Sequence, residues 1–303
     1  MRCAYHPGYQ VALPVGHPFP IAKFSLLKDQ LLAEGVLQPS DLLQPEPLDR
    51  ATLELVHTAG YLDKLESSGL SAAEQRRLGM PWSEALWMRS RLASGGTLLA
   101  ARDALGSGLS GNLAGGTHHA FADHGEGFCV LNDVAVAIAK LRCEGSIARA
   151  LIIDLDVHQG NGTAAIFEND RDVFTFSMHG ARNYPVQKMR SSLDIPLRDG
   201  VADTEYLEAL EHALPKILTS AHADIAFYLG GVDVAVGDRY GRLSLSEEGI
   251  RLRDKQVIKA VRAAKVPLVL TLAGGYAESR SRTALLHAHA FREAVKYQRG
   301  VSV

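Results

Sequence analysis

An apolar run, Ala150-Leu151-Ile152-Ile153, ends in Asp154-Leu155-Asp156-Val157-His158. The run reads as a buried strand, and a two-residue period sends Asp154, Asp156 and His158 to one face while Leu155 and Val157 pack on the other. Two carboxylates buried side by side cost desolvation and repulsion unless a cation, protons or hydrogen-bond donors compensate them, and a bound metal is the simplest compensation. A second apolar run closes on Gly230-Gly231-Val232-Asp233. Asp156, His158 and Asp233 make a three-ligand set whose one nitrogen and two carboxylates leave coordination positions for water and substrate. Zn²⁺, Fe²⁺, Co²⁺ and Mn²⁺ all suit a set without thiolates, so the residue types alone do not choose the metal. Seen singly, an aspartate at a strand end is more often a helix cap or turn former. Ligands converging from two strand ends are not explained that way.

His118-His119 follow a Gly-Gly turn. A lone buried histidine is usually a satisfied core residue, but a tandem pair beside a metal site suits general acid and base work. Asp154, one strand step deeper than Asp156, is placed to accept a hydrogen bond from one ring and fix its tautomer. Tyr276 follows Gly274-Gly275, two glycines that let the backbone fold closely over a pocket and present the phenol to a developing oxyanion.

The elements that must position these groups alternate along the chain. A helical stretch over 83–105 precedes candidate strands at 112–114, 150–156, 173–177, 224–229 and 267–272, which are separated or followed by helical stretches near 132–143, 204–219, 246–264 and 281–296. That rhythm implies a parallel sheet covered on both faces, with its ligand site beyond the carboxyl ends of the strands. Four of those ends carry the His118-His119 pair, the Asp154–His158 run, Asp233 and Tyr276. The stretch 38–47, with three prolines, reads as a surface loop. Gly106-Ser107-Gly108-Leu109-Ser110-Gly111 matches GxGxxG but follows a helix and precedes a strand, the reverse of a dinucleotide-binding unit, and reads as a helix terminator and loop.

At 303 residues, 47% hydrophobic and 22% charged, the chain resembles an ordinary globular protein, with material for one large α/β domain or two smaller ones. Its 32 Lys and Arg against 34 Asp and Glu leave no bulk electrostatic footprint for nucleic acid or membrane. Cys3, Cys129 and Cys143 are odd in number and lack CxxC spacing, which argues against a disulfide framework or a thiolate zinc site. With no secretory-type N-terminus and no run of about 18 apolar residues, a cytoplasmic enzyme is the expectation.

Gly115-Gly116-Thr117-His118-His119, Gly127-Phe128-Cys129, Asp154 through Gly162, Gly231-Val232-Asp233 and Gly274-Gly275-Tyr276 together resemble the zinc-dependent histone deacetylase family over roughly residues 5 to 290. His158-Gln159-Gly160-Asn161-Gly162 and Asn183-Tyr184-Pro185 are similar to its class IV-like and bacterial amidohydrolase branch. The resemblance implies an arginase/deacetylase fold, a single α/β domain over residues 1–303 with a central, mainly parallel sheet of about eight strands flanked by helices. It implies hydrolysis of an acylated amine: acetyl- or longer acyl-lysine in a protein, or a small acylated amine. One zinc per chain would be held by Asp156, His158 and Asp233, with Tyr276 polarising the carbonyl, His119 as general base and then acid, and His118 electrostatic against Asp154. Gly127, Phe128, Tyr184, Gly274 and Gly275 would line the acyl channel. A structural potassium would use Asp154, the carbonyls of Asp156, His158 and Met178, and the Ser177 hydroxyl. Where many members have an aspartate partnering the second histidine, this chain has Asn161, so a lower His119 pKa is expected. Two alternatives stand beside this one. A ureohydrolase of the arginase type needs another aspartate two residues beyond the strand-end one, where this chain has Ala235. A non-catalytic homologue would only bind an acylated ligand. The oligomeric state is not legible from these residues.

Overall fold

Eight strands form one sheet in which every strand pair runs parallel, so that all carboxyl ends lie along one edge. The computed structural model describes residues 1–300. In chain order the strands are β1 (Arg2–Ala4), β2 (Leu42–Leu43), β3 (Leu109–Asn112), β4 (Ala150–Asp154), β5 (Val173–Gly180), β6 (Leu193–Leu197), β7 (Ile225–Leu229) and β8 (Leu268–Thr271). Their spatial order is β2-β1-β3-β8-β7-β4-β5-β6, which puts β4 and β7 side by side near the middle. The helices are α1 (Lys23–Ala33), α2 (Arg50–Leu53), α3 (Ala59–Glu66), α4 (Ala72–Leu78), α5 (Glu84–Ser107), α6 (Asp133–Cys143), α7 (Asn161–Phe167), α8 (Asp203–Ala221), α9 (Glu247–Ala263) and α10 (Arg280–Gln298).

Central strands of a sheet covered on both faces must be apolar on both sides, and β4, β7 and β8 are buried throughout. Alternate residues serve the two layers. Ile152, Phe227 and Val269 join the core under α5 and α6, whereas Leu151, Ile153, Tyr228 and Leu270 join the core with α1, α8, α9 and α10. Side-chain caps start the long helices where the sequence pattern places them: Asn132, Ser246 and Ser279 each accept a backbone N–H of the first turn.

The expected α/β class, its parallel sheet and the helices over 83–105, 132–143, 204–219, 246–264 and 281–296 are all present, with ends shifted by a few residues. Three details differ. The glycine-rich 106–111 stretch is terminator and strand rather than terminator and loop: Gly108, at φ +81°, ends α5, and β3 begins at Leu109 instead of residue 112. The 38–47 loop contains β2, a two-residue edge strand paired to β1. Most consequentially, β4 stops at Asp154 rather than 156. The Asp154 carboxylate accepts the Asp156 N–H at 3.1 Å and the Asp156 carboxylate accepts the His158 N–H at 2.9 Å, two successive bonds from residue i+2 that coil the chain off the sheet. Strand alternation therefore does not set the direction of Asp156 and His158; these turns do.

Candidate active site

The turns after β4 and the Gly230–Asp233 segment after β7 bring Asp156, His158 and Asp233 together, with one ligand atom from each within 4.8 Å of the others. His158 Nδ1 lies 3.0 Å from Asp156 Oδ1 and 3.2 Å from Asp233 Oδ2. The remaining oxygens are held from behind: Gly274 N–H donates to Asp156 Oδ2 at 2.6 Å and Val157 N–H to Asp233 Oδ1 at 2.9 Å. Gly274 is required for this approach, since a Cβ there would fall on both carboxylates. Asp233 Oδ2 is fully buried without a hydrogen-bond partner, an orphan that a native interior tolerates only for a reason. The charges point the same way. Burial opposes a charge on His158, yet Asp156 and Asp233 outweigh it and push its pKa up to about 10. Burial and the neighbouring Asp156 raise Asp233 to about 7. The three groups attract positive charge to one point, and their donor set fits a divalent cation.

Behind this cluster lies Arg253 of α9, wholly buried, which sequence reasoning did not single out. Its Nη1 donates to the Gly231 carbonyl at 2.6 Å and the Leu155 carbonyl at 3.3 Å, so one guanidinium holds both ligand-bearing segments. Asp254 Oδ1 accepts from Arg253 Nε and Nη2 at 3.0 and 2.8 Å and from the Tyr228 hydroxyl at 2.5 Å. The sequence carries a trace of this, because Arg253 and Asp254 sit on the same helical stripe as the buried Ile250, Val257 and Val261.

The adjacent histidines have different partners. His118 Nδ1 lies 2.7 Å from Asp154 Oδ2, and His119 Nδ1 lies 2.6 Å from Asn161 Oδ1. An amide oxygen only accepts, so His119 carries its proton on Nδ1 and leaves Nε2 free. Burial works against charge on both rings. For His118, Asp154 and Asp156 overcome it and raise the pKa to about 9; for His119, burial and the positive His118 and His158 hold it well below the usual value. Asn161 in turn donates from Nδ2 to Glu126 Oε1 at 2.8 Å. Glu126 also accepts from the Tyr184 hydroxyl and faces His124. Burial would raise the Glu126 pKa, but the hydrogen bonds from His124, Tyr184 and Asn161 bring it down to about 2. A carboxylate, Glu126, is thus present one residue further out from His119 than Asn161, at a position with no sequence signal beyond its place between Gly125 and Gly127.

Above the cluster opens a cavity of about 420 Å³ whose walls include His119, Gly127, Phe128, Tyr184, Tyr240 and Tyr276. Gly127 has φ +53°, and a Cβ there would lie 2.6 Å from the His119 ring. Phe128 and Tyr276 rings are 5.9 Å apart, and Tyr184 stands edge-on to His119 at 5.1 Å. Gly275, at φ +148°, turns the chain into Tyr276, whose N–H is held by Asp238 Oδ2 at 2.6 Å. Burial, with Asp233 and Asp156 nearby, holds the Tyr276 phenol well above its usual pKa, so it stays a donor. Inward of the cluster is a void of only about 30 Å³, lined by Phe19, Lys23, Arg89, Cys129, Gly116 and Gly274 among others. Of the expected potassium ligands, Asp154 and Ser177 are register partners between β4 and β5, Met178 follows on β5, and Asp156 and His158 lie in the turns. Every residue expected at the metal, histidine pair, phenol and channel is brought to this one edge of the sheet.

A buried nitrogen-and-carboxylate triad with a histidine pair at the base of a channel defines a metal-dependent hydrolase. The histone deacetylase domain model matches residues 17–291. An uncharacterised protein of Picosynechococcus sp. is 47% identical over 275 residues, covering 91% of this chain and 92% of that one. Histone deacetylase 2 of Arabidopsis thaliana is 31% identical over 88% of this chain and 71% of its own length. The acetoin utilization protein AcuC of Bacillus subtilis is 32% identical over 79% and 68% respectively. The crystal structure of the HDA15 HD domain superposes with a TM-score of 0.79 at 23% identity, covering 99% of this chain and 88% of that one, which shows the shared fold. The chain belongs to the histone deacetylase domain family.

Removing Arg253 leaves Asp254 buried and uncompensated and frees both ligand segments. Arg253→Met is expected to destabilise the chain by about 3–5 kcal/mol, measured by urea unfolding; a loss below about 1 kcal/mol would show that the guanidinium does not brace these segments.

Proposed function

We propose that this metal-dependent hydrolase of acylated amines is a deacetylase that works with His119 as its proton-transfer group. One observation carries the reading: two adjacent histidines beside the triad have different partners, His118 Nδ1 on the Asp154 carboxylate and His119 Nδ1 on the Asn161 amide oxygen, which separates an electrostatic partner from a base whose Nε2 is free. Asp156, His158 and Asp233 would hold a divalent cation, zinc on the family resemblance, and when bound it would supply polarisation of the acyl carbonyl and acidification of water. His119 Nε2, neutral and unblocked, accepts the proton from the attacking water. Tyr276 donates a hydrogen bond from its phenol to the oxyanion that develops on the carbonyl oxygen, and His118, held by Asp154, adds its positive field to that charge. Protonated His119 then delivers its proton to the leaving amine. Ala235 withholds the second carboxylate that a two-manganese ureohydrolase would need.

The inner void supports acetyl as the acyl group. At about 30 Å³ it has room for about two water-sized groups, whereas a longer chain would displace Phe19 or the buried Lys23. A structural potassium held by Asp154, Ser177 and the carbonyls of Asp156, His158 and Met178 is part of the proposal, supported by the β4–β5 register. So is a cytoplasmic location, supported by three cysteines of which none is disulfide-bonded.

Tyr276→Phe is expected to keep full metal content by elemental analysis while losing about two orders of magnitude in kcat; unchanged turnover would remove the phenol from the mechanism. Acetyl-lysine peptides should exceed octanoyl-lysine peptides at least about tenfold in kcat/KM, a gap of ~1.4 kcal/mol. Equal rates would mean that the acyl group does not occupy the inner void. Asn161→Asp places a carboxylate on His119 and raises its pKa. Because the base must be neutral, the acid limb of the kcat/KM profile should then move to higher pH, by about one unit. A profile that stays in place would show that the 161 side chain does not tune His119.

A further inference from the structure

The small inner void and the larger outer cavity divide a substrate at the scissile bond: the acyl group goes inward and the amine half must lie in the channel and at its mouth. That mouth carries Arg77, Arg182 and Arg242, and no aspartate or glutamate lines the cavity among the described residues. The pattern runs against a chain whose net charge is −2.

The guanidiniums are poorly neutralised. Arg77 makes no ion pair among the described residues. Arg182 and Arg242 share Asp199 at 3.9 and 3.3 Å while remaining 79% and 57% exposed. Two further carboxylates behind the walls are occupied: Glu126 by Tyr184, Asn161 and His124, and Asp238 by the N–H groups of Tyr240, Gly241 and Tyr276.

The segments that carry these arginines are fixed in place. Buried Asn183 donates to the Tyr240 carbonyl at 2.6 Å and accepts the Arg242 N–H at 3.3 Å, stitching the Arg182 and Arg242 segments together. The Phe128 N–H donates to the Leu78 carbonyl at 2.8 Å and the Gly127 N–H to the Arg77 carbonyl at 3.3 Å, which ties Arg77 to the channel wall. Three rim cations on tethered backbone form a field that acts within about 10 Å at moderate salt.

Resting on the deacetylase reading, we infer that this mouth selects acetylated amines whose amine half carries carboxylate charge and disfavours polycationic ones such as acetylated polyamines or lysine-rich segments. A carboxylate at the rim gains bidentate guanidinium partners, while an ammonium there meets uncompensated like charge.

The test uses zinc-loaded protein and two sets of probes. One is a series of fluorescent acetyl-lysine peptides identical except for flanking Asp/Glu, Ser/Ala or Lys/Arg; the other is Nα-blocked acetyl-lysine as free acid and as amide, with acetylspermidine. Affinity is read by fluorescence anisotropy on the Tyr276→Phe chain, with the small probes as competitors, and kcat/KM is read on the unsubstituted chain. Each exposed charge pair is worth a factor of about two to five, so acidic peptides should bind at least about tenfold more tightly than basic ones at low salt. High salt should compress that ratio, and the double substitution Arg182→Glu, Arg242→Glu should invert it. A preference in the peptides alone identifies an acidic polypeptide as the source of the carboxylates, and one confined to the free acid over the amide identifies a small molecule; either supports the inference. Equal or basic-favouring affinity in the unsubstituted chain, or an acidic preference that survives charge reversal, overturns it. If no probe is hydrolysed but acidic probes still bind best, the deacetylase reading falls and the charge selection stands. Hydrolysis without charge preference has the opposite meaning.

Discussion

Three carboxylates buried at the ends of two neighbouring parallel strands are the constraint around which the rest of the molecule is organised. Asp154, Asp156 and Asp233 are each at most 3% exposed, and each such ion costs several kcal/mol to desolvate. The surroundings are accordingly built from donors and cations: backbone N–H groups of Asp156, Val157, His158 and Gly274, the His118 ring on Asp154, and the cation-ready gap between Asp156, His158 and Asp233. Arg253 reaches the same layer from α9 through the carbonyls of Leu155 and Gly231. A parallel sheet suits this arrangement because it gathers along one edge the segments that follow its strands, whose backbone N–H groups are not committed to the ladder.

That constraint also explains why two adjacent histidines behave differently. His118 touches a carboxylate directly and is held cationic; His119, one residue on, faces an amide and the positive charge of its neighbours. An aspartate at 161 would lie against Glu126, whose Oε1 is 2.8 Å from the Asn161 amide nitrogen. With Asn161 the negative charge stays in the site but at one remove, and the amide serves as donor to Glu126 and acceptor from His119 at once. The substitution of amide for acid is therefore matched to Glu126 rather than being a simple loss of charge.

Much of this was legible in the chain. Apolar runs announced β4, β5, β7 and β8, and residue type with spacing announced the metal triad, the histidine pair, Asp154 and Tyr276. Strands β1, β2 and β6 were not legible, because they span two to five residues and β2 and β6 lie at the edges, so pairing rather than composition makes them strands. The right ligands were read from the wrong geometry at 156 and 158. Side-chain bonds from Asp154 and Asp156 to nearby N–H groups competed successfully with continued strand pairing, and a period of two cannot register such local competition. Arg253 and Glu126 were missed because their meaning lies in contacts 22 to 98 residues away, which no short motif contains.

The site divides chemistry from selection along the same line that divides strand ends from loops. Residues that move protons or hold the cation stand at the ends of β3, β4, β7 and β8 or in the segments that follow, where neighbouring ladders restrict their position. The rim residues, Arg77 at the end of α4 and Arg182 and Arg242 in the connections after β5 and β7, have side chains largely free in solvent. A change at the rim alters a field acting over several ångströms and leaves the hydrogen bonds behind the triad untouched, whereas a change at Asp154 or Gly274 disturbs the buried charges directly. Substrate preference can therefore change while the ligand set stays the same, and the charge at the mouth bears on what this chain accepts in a way that the triad does not.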